Sequence, residues 1–111
     1  MYLKFDIKNG ILIVTLVGEL DHHSAEEARI KIDDMIDREK INKVILDFSS
    51  VGFMDSSGIG MVLGRYKKLL LKKGELAAVN LNSSVKRVFE LSGMFKVIKN
   101  YKDLQEAVSC M

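Results

Sequence analysis

At 111 residues the chain suits one compact domain, because two separate cores of half that size would each be marginal. Apolar residues make up 48%, charged residues 29%, and the net charge is +2, which is the balance of a soluble globular protein and gives no electrostatic footprint for nucleic acid. The single cysteine, Cys110, excludes an internal disulfide and suits a reducing compartment; no apolar run approaches the ~20 residues of a membrane span, and the N-terminus lacks the basic and apolar regions of a signal peptide. The expectation is a single cytoplasmic domain over residues 1–111, with no membrane or nucleic-acid partner. The one basic cluster, Lys67, Lys68, Lys72 and Lys73, reads as the solvated face of a helix.

Along the chain, Leu3 to Ile7 alternates apolar and polar, the period of a half-buried strand. Asn9-Gly10 is a strong hairpin signal, and the β-rich run Ile11 to Val17 follows it. Ser24-Ala25-Glu26-Glu27 fits a capping box and predicts a helix from about Ala25, with Ala25, Ala28, Ile32, Met35 and Ile36 inward and His22 and His23 in the loop ahead of it. Val44 to Phe48 reads as a strand covered on both faces. A polar turn from Ser49 to Gly58 then leads into a helix with the stripe Ile59, Val62, Leu63, Tyr66, Leu69 and Leu70, ended by Gly74 as the C-cap glycine.

The remainder predicts a strand over Glu75 to Asn80 and a short helix capped by Ser83 or Ser84, with Val85, Val88, Phe89 and Leu91 inward and Gly93 at its end. A last strand over Phe95 to Ile98 and a terminal helix over Lys102 to Ser109, with Leu104, Ala107 and Val108 inward, complete the order β-β-α-β-α-β-α-β-α. A hairpin followed by strand–helix alternation implies an α/β fold with a mixed sheet flanked by helices.

The segment Asp55-Ser56-Ser57-Gly58 carries the functional signal. It follows a buried strand and opens a helix, placing it at the carboxyl edge of the sheet, where open α/β sheets bind ligands and partners. Unpaired N–H groups and the helix dipole there tolerate a phosphate on Ser56, although Asp55 opposes it. Gly58, Gly60 and Gly64 each cost roughly 1 kcal/mol relative to alanine inside a helix. Two readings account for them. Gly60 and Gly64, beside Ser57, Met61 and Leu71, form a bare docking surface, or the glycines relieve crowding behind a capped helix start.

No catalytic constellation stands up. Asp21, His22, His23 and Ser56 supply the ingredients of a triad, but the G-x-S-x-G elbow is missing. Gly58-Ile59-Gly60 lacks the Gly-Lys-Ser/Thr ending of a phosphate loop. Adjacent His22 and His23 have no third ligand to build a metal site, and no cofactor is implied.

Three segments nevertheless resemble a known family. Gly18-Glu19-Leu20-Asp21-His22-His23, Phe53-Met54-Asp55-Ser56-Ser57-Gly58-Ile59-Gly60 and Gly64-Arg65-Tyr66-Lys67 are similar to the STAS domains of anti-sigma factor antagonists, closest to the anti-sigma-F type of spore-forming bacteria. Val85 to Phe89 and Leu91 to Lys96 extend the resemblance over essentially the whole chain. It implies the STAS fold and a non-enzymatic partner switch. In that scheme the unphosphorylated protein binds an anti-sigma factor that is also an ATP-using serine kinase, and so frees the sigma factor. Phosphorylation of the serine after the aspartate, Ser56 here, switches binding off, and a PP2C-type phosphatase resets it. Asp55 would position Ser56 and cap the helix. Asp21, Ser57, Gly58, Gly60, Met61 and Gly64 would contact the partner, with a loop-capping role the equal alternative for Asp21. A general-stress antagonist of the anti-sigma-B type, or a small-ligand-binding STAS module, are the alternative readings.

Overall fold

The computed structural model describes residues 1–111 as a five-stranded sheet with helices on both faces. The first two strands, β1 (Tyr2–Lys8) and β2 (Ile11–Leu20), form the expected hairpin. Asn9 and Gly10 both take positive φ, at 54° and 76°, which a tight turn matched to strand twist requires. Then follow α1 (His22–Arg38), β3 (Lys43–Met54), α2 (Ser56–Leu71), β4 (Glu75–Val79), α3 (Ser83–Ser92), β5 (Lys99–Tyr101) and α4 (Leu104–Cys110). Strand order in the sheet is the order in the chain; β1 is antiparallel to β2 and all other pairs are parallel.

Side-chain parity along the strands splits the interior in two. Leu12, Val14 and Leu16 of β2 and Val44, Leu46 and Phe48 of β3 point into the larger core, beneath α1, α2 and α3. Ile11, Ile13, Ile45, Ala77 and Val79 point the other way and are covered by α4 through Ala107, Leu104 and Val108. The register of β3 against β2 shifts twice, between Thr15 and Val17 and between Gly18 and Glu19, so β3 carries extra residues where the sheet approaches its carboxyl edge.

Several expectations need correction. α1 starts at His22, not Ala25, because Asp21 is the N-cap; the histidines therefore belong to its first turn. Residues Ser49 to Met54 are strand, since pairing with β2 continues to Leu20↔Met54. α3 is capped by Asn82, whose side chain accepts from Val85 N at 2.9 Å, rather than by either serine. Leu70 and Leu91 are exposed. Phe95 lies in a 3₁₀ turn (Met94–Lys96), and the last strand follows it at Lys99. Gly74 is not the left-handed residue after α2; Lys73 is, with φ 57°. A Cβ on Gly74 would lie 1.9 Å from the Asn42 carbonyl oxygen, so close backbone approach explains the glycine.

Candidate functional site

Two strand-to-helix junctions lie side by side at the carboxyl edge of the sheet. Leu20 pairs with Met54, and the Asp55 N–H donates to the Leu20 carbonyl at 3.3 Å, so Asp21 and Asp55 start neighbouring helices from neighbouring strand ends. Asp55 caps α2 by accepting from Ser57 N at 2.8 Å, which satisfies one of the orphan donors of the first turn. That leaves Ser56, the first helical residue, exposed and without a capping task; Ser57 is half-buried.

Asp21 is a capping residue too. Its Oδ1 accepts from His23 N and Ser24 N, each at 3.0 Å, while Ser24 Oγ accepts from Asp21 N at 2.8 Å. The Ser24 N–H, above all, holds the Asp21 carboxyl below the usual carboxylate range. Asp21 remains half-exposed.

The glycines divide into two kinds. Gly58 is buried, and a Cβ there would sit 2.3 Å from Met54 Cγ and 3.0 Å from Leu20 Cδ2, so it lets α2 settle onto the strand ends. Gly60 and Gly64 have nothing within 4 Å of an added Cβ and leave the helix surface bare. Met61, expected on that surface, is buried at 4% exposure in the larger core. A groove of about 460 Å³ runs between the first turns of α1 and α2, with His22, Glu26 and Arg29 on one wall and Ser57, Gly60 and Met61 on the other.

Arg65, which enters the sequence analysis only through the Gly64–Lys67 resemblance, has a structural role. It is only 7% exposed, lodged between α1 and α2, with Nε 2.9 Å from Asp33 Oδ1. Burial pushes its guanidinium pKa down, and Asp33 draws it back up. The signal was available: Arg65 stands four residues after Met61 and three after Val62, on the buried stripe of an amphipathic helix. With Lys68 and Asp37, 3.0 Å apart one turn further on, it ties the two parallel helices below the groove.

A mixed sheet with helices so divided, and an aspartate–serine pair opening the second helix at its edge, define the STAS class of α/β regulatory modules. The chain matches the STAS domain family over residues 2–107 and belongs to it. It is 38% identical over 109 residues to an anti-sigma F factor antagonist from Paenibacillus polymyxa, covering 98% of this chain and 93% of that one. Among solved structures it is similar to the anti-sigma factor antagonist SpoIIAA in its unphosphorylated form (TM-score 0.83, 32% identity, 96% and 93% of the two chains). It is also similar to the Bacillus cell-fate determinant SpoIIAA in its phosphorylated form (TM-score 0.75, 31% identity, 97% of each chain). The first two of these relatives, matched over nearly their whole length, carry the name anti-sigma factor antagonist.

Proposed function

We propose that this protein is the phosphorylation-switched antagonist of an anti-sigma factor in sporulation. Unphosphorylated, it binds the anti-sigma factor through the carboxyl edge and the groove between α1 and α2, and a sigma-F-type factor is released. The same anti-sigma factor, acting as a serine kinase with ATP, phosphorylates Ser56 and ends the interaction; a PP2C-type phosphatase restores it. The protein acts in the cytosol as substrate and binding module and performs no catalysis itself.

The observation that carries this reading is the division of labour at the start of α2. Asp55 caps the helix, Ser57 N–H is consumed by that cap, and Ser56 presents a free-standing hydroxyl. A phosphate on Ser56 sits at the amino end of a 16-residue helix, where the dipole and open N–H groups favour negative charge, so the fold tolerates it. The partner does not: phosphorylation adds about −1.5 to −2 charges beside Asp21 and Asp55, at the centre of the proposed contact. Desolvating or repelling that charge weakens binding by orders of magnitude, since each ~1.4 kcal/mol is tenfold. The bare surface of Gly60 and Gly64 lets a partner's backbone approach α2 closely.

Intact mass after incubation with the cognate kinase and ATP is the test, on wild type, Ser56→Ala and Ser57→Ala. One added phosphate on wild type and Ser57→Ala, absent from Ser56→Ala, supports the site. A wild type that stays unmodified while correctly folded removes the switch.

A further inference from the structure

The sheet face opposite α1, α2 and α3 is only half covered. Helix α4 has seven residues, about 10 Å of length, and its apolar side reaches Ile11, Ile13, Ile45, Ala77 and Val79, toward the amino ends of the strands. Beyond it, on the same face, three large apolar side chains stand in the open: Tyr2 at 64%, Val17 at 37% and Phe53 at 45% exposure. They are neighbours rather than scattered residues. Tyr2 is directly opposite Val17 across the hairpin, and Phe53 pairs with Glu19, one pleat repeat along from Val17. Parity along β2 puts Val17 and Glu19 on the side of Ile13, away from Leu16 and Leu20 in the larger core. Lys4, Glu19 and Ser50, exposed on the same face, make a polar rim around the three.

We infer that Tyr2, Val17 and Phe53 form an apolar anchor patch for the same anti-sigma factor, which straddles the carboxyl edge and engages both faces of the sheet. The inference rests on the partner reading above and says where else that partner binds. Phe53 stands two residues before Asp55 and three before Ser56, so the patch is continuous with the proposed contact. Size allows the same. A stable protein–protein contact covers about 800 Å² per partner, about an eighth of the 6046 Å² surface. Such a footprint is wider than the groove between α1 and α2, and a partner centred on Ser56, at the edge of the sheet, has room to extend onto both faces. An exposed aromatic with a polar rim beside such a centre has the make-up of an interface anchor, filling an apolar pocket on the other protein.

The test is the dissociation constant of the unphosphorylated protein for its anti-sigma kinase, by calorimetry, for wild type, Phe53→Ala and Leu91→Ala. Leu91 is equally apolar and more exposed, but sits at the far end of α3. Phe53→Ala is expected to weaken binding at least about tenfold, with Leu91→Ala within about twofold of wild type. Tyr2→Ala repeats the measurement at a more exposed position, so that a loss of stability in Phe53→Ala cannot decide the outcome. Phe53→Ala and Tyr2→Ala binding as tightly as wild type overturns this inference and leaves the antagonist reading standing. A wild type that does not bind overturns both. Concentration-dependent self-association abolished by Phe53→Ala, with kinase affinity unchanged, gives the patch to a second copy of the chain and overturns the inference as well.

Discussion

The two junctions at the carboxyl edge are nearly the same piece of backbone put to different uses. Asp21 has φ −107° and ψ −169°; Asp55 has φ −110° and ψ −169°. Each follows a paired strand end, and each accepts from the backbone of the helix it starts. Three residues into the helix they part. At α1 that position is Ser24, buried, whose hydroxyl closes the capping box on Asp21 N and also donates to the Glu19 carbonyl at 2.6 Å. At α2 it is Gly58, which contributes no polar group and lets Met54 and Leu20 pack where a side chain would be. The first junction is closed on itself and holds the helix. The second is held by one carboxylate through the Ser57 N–H and leaves both serine hydroxyls without a capping bond, that of Ser56 the more exposed. Side chains, not backbone shape, separate a structural corner from a site.

The hardest test of that comparison is to make the second junction look like the first. If side-chain chemistry alone distinguished them, Gly58→Ser would add a capping box and stabilise α2. The 2.3 Å approach to Met54 Cγ predicts the reverse: a loss of about 1–3 kcal/mol in urea unfolding, from overpacking. Gly60→Ala, with nothing near its Cβ, is expected to gain up to about 1 kcal/mol in the same measurement. Asp55→Ala removes the only side-chain cap of α2 and is expected to cost about 1 kcal/mol.

The smallest effect is a titration. Hydrogen bonds from Ser24 and His23 keep the folded Asp21 carboxyl below its unfolded value of about 3.9. Because the folded pKa is the lower one, its contribution to stability is complete above the unfolded value and is lost as pH falls through the folded value. Carboxyl NMR titration is expected to place the Asp21 midpoint below the ordinary aspartate range. In Ser24→Ala, which keeps the backbone donor but loses the hydroxyl, the midpoint moves part of the way back up.

Local signals read well where one residue decides the geometry. Asn9-Gly10 fixed the hairpin because few residues take positive φ at two successive positions, and the polar–apolar period set the parity of β1. They misled where several residues compete for one task. Ser24 looked like the N-cap because a serine with Glu27 three residues on fits the pattern, yet Asp21 at the end of β2 holds the position and Ser24 serves it. Ser49 to Met54 read as a turn because its polar residues and glycine hide a strand whose inward residues, Val51 and Met54, are spaced irregularly by the register shifts. The burial of Arg65 is not legible locally, because a cation on a helix is ordinarily solvated and this one depends on Asp33 arriving from another helix.

What the sequence determined by itself is therefore the element order, the hairpin, the position of Ser56 at a helix start, and the family. These are properties of neighbouring residues and short spacings, which act within one turn or one strand. The tertiary structure alone decided that Asp21 and Asp55 stand side by side, that Gly58 turns inward while Gly60 stays bare, and that Phe53 is left uncovered beside Ser56. Each of these follows from how strands register and where a seven-residue helix ends on the far face of the sheet, and those are contacts between residues distant in the chain.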